Sequence, residues 1–499
     1  MPSSDAIVIG GGTNGLACAF ALASAGRRVT VVEGGALGGG AVTTEFAPGH
    51  KVSGLAHLVT HLDARVVSGM GLGVRLSQAL PTVALAQDGG HLTIEGGRVA
   101  GADAAAWAAL HAQLLAFAQA LAPLRGMTPP RLGRGLGNEV LRLGRVAFGL
   151  RAMGQAQFRE FLRMMLINVA DVLEDALTDT RLKGAVAFDA VLGAWLGPRS
   201  PNSLMLLLNR MAGDAPRVPL GGMGAIVDGM AAACVAKGVV MRAGVPVTQV
   251  MVEDDRAVGV MLATGEVLRA GLVVSAINPR TTFQTLVGAR QLDAGFLRRT
   301  QDIRTRGGAA KLHLALSGRP DFNGADLRAR LVVAPSVGAV EGAFNPVKYG
   351  EVPDHPVMEI IVPSAHEGGM APDGHQVLSA IVQFAPHDPV DRDAARAQML
   401  ANTLRVLEDY APGIGGLVTH AELLMPYDIE ARFGMVGGNW HHGELSVEQM
   451  LFLRPMADVA QYATPVPGLW LAGAGSHPGG NISGAAGWNA AAAIGKAGA

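Results

Sequence analysis

Residues 5–33 read DAIVIGGGTNGLACAFALASAGRRVTVVE. The pattern predicts a short apolar strand over 6–9, a glycine turn, an Ala-rich helix over 14–24 ending at Gly26, and a second strand over 29–32 closing on Glu33. Gly10, Gly12 and Gly15 fill G-x-G-x-x-G. In that pattern the first glycine permits a tight turn, the second lets backbone approach a pyrophosphate, and the third lets helix and strand pack closely. The helix start, here Thr13 and Asn14, offers free N–H groups and a positive dipole end to phosphate. Glu33 stands where an acid accepts from a ribose hydroxyl and disfavours a 2′-phosphate, so FAD or NAD is expected rather than NADP.

Working outward, residues 34–61 carry a second glycine-rich loop, 38–44, expected to wrap the cofactor with Gly34, Gly40, Ala41, Val42 and Thr43. Residues 219–224 (PLGGMG) open another unit, with a helix over 225–237 and strands over 245–253, 257–262 and 267–274. That unit completes a dinucleotide fold, and Val247 is expected to touch adenine through its backbone. Residues 310–316, 357–362 and 377–384 read as strands of a separate sheet, with Lys311, taken as an edge-strand residue, and His313 on one face. Residues 102–124 and 136–177 read as helical.

The whole chain has 499 residues, enough for two or more domains, and 49% apolar content, ample for a large core. Net charge is −1, which gives no electrostatic basis for nucleic-acid binding. Cys18 and Cys234 are the two cysteines, and no C-x-x-C exists, which excludes a redox dithiol and a Cys-rich metal site. Cytoplasmic location is expected, and an oligomer is compatible with the sequence. The arginines at 125, 131, 134, 142, 145, 151, 159 and 163 lie among apolar residues. They suggest a solvated helix face, a cap whose apolar side lines a substrate cavity, or peripheral contact with the inner face of a membrane over about 102–177. His57 and His61 would share a face if helical but lack a third ligand, so no metal site is expected.

At the C-terminal end, residues 468–472 read as a strand, followed by a glycine-rich loop and a small-residue helix over 485–494. Its start is expected to face the negative charge that develops on a reduced flavin. With these motifs the chain resembles the FAD-dependent phytoene desaturase (carotenoid oxidoreductase) relatives, in particular the subgroup that includes pyridine nucleotide-disulfide oxidoreductase domain-containing protein 2. The resemblance rests on residues 10–33, Thr43-Thr44-Glu45, PLGGMGA at 219–225, SAINPRTT at 275–282, GGNWHHGELSVEQMLFLRP at 437–455 and GAGSHPGGNISGAAGWNAA at 473–491.

The resemblance implies an α/β fold: a Rossmann-like FAD-binding domain of the glutathione-reductase-2 type, with an inserted α+β substrate domain carrying a mixed sheet and a helical cap. The expected division is 1–75, 216–288 and 426–499 for FAD, and 76–215 with 289–425 for substrate. FAD would be held by the residues named above together with Gly473, Ala474, Gly475, Asn481, Ile482, Ser483 and Ala485. Asn481 replaces a glycine and Trp488 an arginine of the relatives' pattern, both near the expected flavin edge.

Hydride transfer to flavin N5 demands orientation and, for an acidic C–H, a base. Candidate catalytic residues are His442, Glu444, His477 and Lys311. The expected function is desaturation of an apolar or amphipathic small molecule, with oxygen, a quinone or a soluble carrier reoxidising the flavin, since no second fingerprint provides for NAD(P)H. Alternatives are isomerase, hydratase or ketolase chemistry on the same scaffold, or a non-catalytic FAD-carrying interaction protein.

Overall fold

The computed structural model describes residues 4–131 and 138–498. Arg134 and the side chain of Arg142 lie outside the described residues. A five-stranded parallel sheet runs in the order Leu469–Leu471, Leu272–Ser275, Ala6–Ile9, Val29–Val32 and Val240–Arg242. Its strands come from the two ends and the middle of the chain. Alternation along Ala6–Ile9 divides the core: Ala6 and Val8 join the helix-side cluster, while Ile7 and Ile9 join the cluster beneath an antiparallel three-stranded sheet. That smaller sheet comprises Val247–Glu253, Arg256–Leu262 and Val267–Arg269. The short strand Val240–Arg242 was not anticipated, because three residues carry no period to read.

Helix Thr13–Ser24 packs on the sheet and against the helices Gly222–Ala236 and Ala485–Ala497. Close approach explains its glycines. A Cβ on Gly15 would lie 1.9 Å from the Gly10 carbonyl oxygen, and one on Gly487 would lie 1.8 Å from that of Asn14. Gly10 itself has φ +103°, a conformation that glycine adopts without a Cβ clash.

The second sheet has eight strands, in the order Val418–Leu424, Ala309–Leu316, Gln376–Gln383, Val357–Ile361, Arg330–Val333, Thr82–Leu85, His91–Glu95 and Arg98–Val99. Pairing is antiparallel except between Arg330–Val333 and Thr82–Leu85. One face, including Leu312, Leu314, Ile360 and Leu378, forms a core with helix Arg392–Tyr410. The opposite face carries Lys311, His313, Glu359 and Ser379, with Lys311 level with Ile381 and Ile381 level with Glu359 across three strands. Lys311 therefore sits on an interior strand and is fully buried, not on an edge.

The region expected as one helical stretch over 136–177 is three helices, Asn138–Ala152, Gln155–Met164 and Val169–Ala176. Gly154, at φ +94°, breaks the first join, and the Asn168 side chain caps the third helix by accepting from the Asp171 amide. Helices Thr180–Val191 and Ser203–Met211 were not anticipated. Segment Ala104–Gly126 is long and apolar enough to cross a membrane by length and composition, yet Trp107, Leu110, Leu114 and Phe117 pack into the helical core.

The glycine contacts give a measurable order of stabilities. Gly15→Ala forces a Cβ into backbone and is expected to cost about 1–3 kcal/mol. Gly12→Ala meets nothing within 4 Å and is expected to cost distinctly less. Denaturant unfolding of the ligand-free chain checks this, and equal losses would contradict the packing account.

Candidate active site

A cavity of about 740 Å³ begins at the fingerprint turn and ends against the second sheet. At its first end it is lined by Gly10, Gly12, Thr13, Asn14, Gly15, Glu33 and Gly34, and then by Gly40, Ala41, Val42, Pro246 and Val247. No side chain caps the helix start at Gly12, so its amides face the cavity without a competing acceptor. Glu33 accepts from the Gly11 amide at 2.7 Å and the Gly35 amide at 2.9 Å. Those bonds hold the carboxylate at the end of its strand with lone pairs to spare. An open glycine, an uncapped helix start and a fixed acid fit the adenosine and pyrophosphate half of FAD.

The C-terminal loop closes the other side with Ala474, Gly480, Asn481 and Ile482. Asn481 has φ +66° and Ile482 φ +55°. Asparagine tolerates the left-handed region, whereas for a β-branched isoleucine it is strained. Five expected cofactor residues do not line the cavity but brace it. Thr43 Oγ accepts from the Gly224 amide at 2.9 Å. Gly473 and Gly475 pack so closely that a Cβ would lie 2.5 Å from the Ala276 oxygen and from Pro279 Cδ, respectively. Ser483 Oγ accepts from the Ala485 amide at 3.2 Å, so the helix start at Ala485 is set back from the cavity and its first amide is already satisfied. Trp488 is likewise not at the cavity edge: its ring stacks on Phe20 and fills the space over Gly69.

Of the four catalytic candidates, His442 alone lines the cavity. It has φ +57°, bonds to the Ile277 backbone and leaves Nδ1 buried without a partner. Burial, then Arg454, pushes it down to about 4, so it is uncharged at neutral pH. Glu444 is corrected to an anchoring position: its carboxylate pairs with Arg306 at 2.8 Å and Arg304 at 3.5 Å, away from the cavity. His477 is also corrected, because its Nε2 donates to the Leu124 carbonyl at 2.7 Å, tying the loop to the helical cap.

Lys311 does not reach the cavity surface. Its Nζ donates to His57 Nδ1 at 2.8 Å, and His57 Nε2 donates to Glu359 Oε1 at 2.9 Å. His57 and Glu359 do line the cavity, together with Arg210. Glu359 also accepts from the buried Arg330, which in turn pairs with Asp189, and Arg210 approaches both acids at 3.3 and 3.5 Å. Two carboxylates are thus matched by two guanidiniums, leaving the Lys311 amine no carboxylate of its own. Burial lowers it to about 7. His57 and His61 do not share a helix. His61 accepts from Thr60 and donates to the Asn209 carbonyl, and no group of three metal-ligating residues occurs among the described residues.

Two determinants escaped sequence reading. Glu359 is the lone charge in the apolar strand VMEII, and that isolation was the available signal. Arg454 is fully buried with no carboxylate among its hydrogen-bond partners. It donates to the carbonyls of His441, Gly443, Glu444, Gln449 and Ala474, and so joins the 437–455 and 473–491 motifs. Cys18 and Cys234 are buried thiols, each pushed up to about 12 by burial, which disqualifies them as redox nucleophiles.

With this geometry in hand, comparison with known proteins is consistent. The model of the flavin containing amine oxidoreductase family matches residues 15–495. The chain is 29% identical to pyridine nucleotide-disulfide oxidoreductase domain-containing protein 2 of Rattus norvegicus, over 98% of this chain and 93% of that one. It is also 29% identical to the phytoene desaturase (neurosporene-forming) of Cereibacter sphaeroides, over 62% of this chain and 59% of that one. The fold is shared with an oxidoreductase from Methanosarcina mazei at a TM-score of 0.62 and 15% identity, covering 98% and 99% of the two chains. The chain belongs to the flavin containing amine oxidoreductase family, and its cofactor is FAD.

Proposed function

We propose that this FAD-dependent oxidoreductase dehydrogenates an amphipathic small molecule, forming a C=C bond. The observation that carries the reading is the far end of the cavity. Leu58, Leu192 and Ile381 line it together with the polar group His57, Glu359 and Arg210, and Ile381 is level with Glu359 on the next strand. An apolar body with one polar end fits those walls, and a long, wholly apolar carotenoid fits them poorly. When bound, FAD supplies the two-electron acceptor for C–H oxidation. The chain's own residues orient the substrate, exclude water and hold a proton near neutrality at Lys311, behind His57. The buried thiols offer no disulfide chemistry, despite the name of the rat relative.

Helices Asn138–Ala152 and Gln155–Met164 and the turn that follows expose Leu141 (69%), Phe148 (74%), Leu162 (50%) and Leu166 (76%), in a stretch that also carries Arg145, Arg151 and Arg159. Their chemistry supports delivery of an amphipathic substrate from an anionic membrane surface.

Anaerobic mixing with a reducing substrate is expected to bleach the flavin without recovery until an acceptor such as oxygen or a quinone is added. Turnover without bleaching would instead mark redox-neutral chemistry. Sedimentation with vesicles containing anionic lipid is expected to retain the wild type and to release a Phe148→Glu, Leu166→Glu variant; equal binding would remove the membrane reading. Lys311 titrates at about 7 in the fold against 10.5 for a free lysine. The unfolded chain therefore binds more protons between these values, and wild-type stability rises with pH across that window. Lys311→Met removes that rise, so its stability relative to wild type is expected to fall between pH 6 and pH 9. Urea unfolding at both values checks this, and parallel profiles would contradict it.

A further inference from the structure

Arg210 stands apart from the other members of the polar group at the far end of the cavity. It belongs to helix Ser203–Met211, which Leu204, Leu207 and Leu208 anchor in the helical core. It lines the cavity, and its side chain is 22% exposed, whereas those of Arg330 and Glu359 beside it are 1% and 2% exposed.

The acids near Arg210 are already taken. Glu359 accepts from Arg330 and from His57 Nε2 at 2.9 Å, and Asp189 accepts from Arg330 at 2.5 Å. Arg210 meets the same carboxylates only at ion-pair range: Nε is 3.3 Å from Asp189 Oδ1, and Nη2 is 3.5 Å from Glu359 Oε2. Its Nη1 has no partner among the described residues. A guanidinium carries more N–H donors than two such approaches occupy. The group is therefore matched in charge but not in hydrogen bonds, and the unspent donors belong to the arginine that lines the cavity.

The rest of the wall decides what those donors receive. Leu58, Leu192 and Ile381 line the same end. An ammonium group would find no open carboxylate, because Glu359 is spent on Arg330 and His57, and Glu33 is held by the Gly11 and Gly35 amides at the adenosine end. A guanidinium with free edges pairs best with a planar, two-oxygen acceptor. A polyanion would carry more charge than a balanced wall can offset, whereas a single carboxylate on an apolar body suits it.

We infer that Arg210 is a specificity-determining residue and that the substrate is an amphipathic monocarboxylic acid, with its carboxylate on Arg210 and its apolar body along Leu58, Leu192 and Ile381. The inference deepens the function proposed above and rests on its placing of substrate at this end of the cavity. The two arginines play different parts. Arg330 is consumed in holding Asp189 and Glu359, and those acids then orient Arg210 without saturating it.

The test is calorimetric titration of the FAD-loaded full-length protein with octanoate, octan-1-ol and octylammonium, which share one chain and differ in the end group. Octanoate is expected to bind about tenfold or more tighter than either of the others. Arg210→Met is expected to remove that preference and to leave octan-1-ol binding unchanged. Arg210→Lys, which keeps the charge but loses the fork, is expected to retain part of it. Octan-1-ol or octylammonium binding as tightly as octanoate would overturn the assignment, as would no octanoate binding to the wild type. Unchanged octanoate affinity in R210M would also overturn it, by placing the acid elsewhere on the protein, and so would equal weakening of octanoate and octan-1-ol, which marks a packing effect. No turnover enters the titration. A negative result here therefore leaves dehydrogenation standing, and a substrate that fails to bleach the flavin leaves the acid site standing.

Discussion

The constraint on which this structure depends is the close approach of backbone to backbone at helix Thr13–Ser24. The helix sits against the Gly10 turn on one side and against the C-terminal helix on the other, with no room for a Cβ at Gly15 or Gly487. That contact brings the two ends of the chain to one place. The fingerprint and the C-terminal loop can then share a single cavity, although the second sheet and all the cap helices lie between them in sequence.

Arg454 performs the corresponding task on the other side of the cavity. Carbonyl dipoles from two loops solvate its guanidinium in place of water or a carboxylate. Such a group is costly to bury and is retained where it holds irregular backbone in register. Here that backbone is the Trp440-His441-His442 turn, including the left-handed His442. The charge pair between Glu444 and Arg306 reinforces the same turn from outside.

At the far end the polarity reverses. The second sheet presents a buried charged face in which His57, Glu359, Arg330, Asp189 and Arg210 satisfy one another. Lys311 is the member whose proton is loosely held. A network so nearly neutral offers a substrate a polar end wall without a strong net charge, which suits an amphipathic molecule better than a strongly charged one.

Much of the cofactor end was legible in sequence because it depends on local rules. Glycines at fixed offsets, a strand before, a helix after and an acid at the next strand end specify a dinucleotide turn wherever they occur. The strand boundaries at 6–9 and 29–32 follow from the same local signals. The alternation that placed Lys311 and His313 on one face was also readable, since a strand has a period of two. Partners were not. Lys311 reaches His57 across 254 positions, and His477 reaches the cap across 353. Glu444 turned to an arginine instead of the cavity for the same reason: a charge takes the nearest opposite charge in space, and sequence spacing does not encode that distance. By itself, then, the sequence determined the α/β architecture, the nucleotide-binding turn and the residue types available for chemistry. Only the tertiary structure decided which of them face the cavity and which charges are spent on one another, because those depend on through-space contacts between segments hundreds of residues apart.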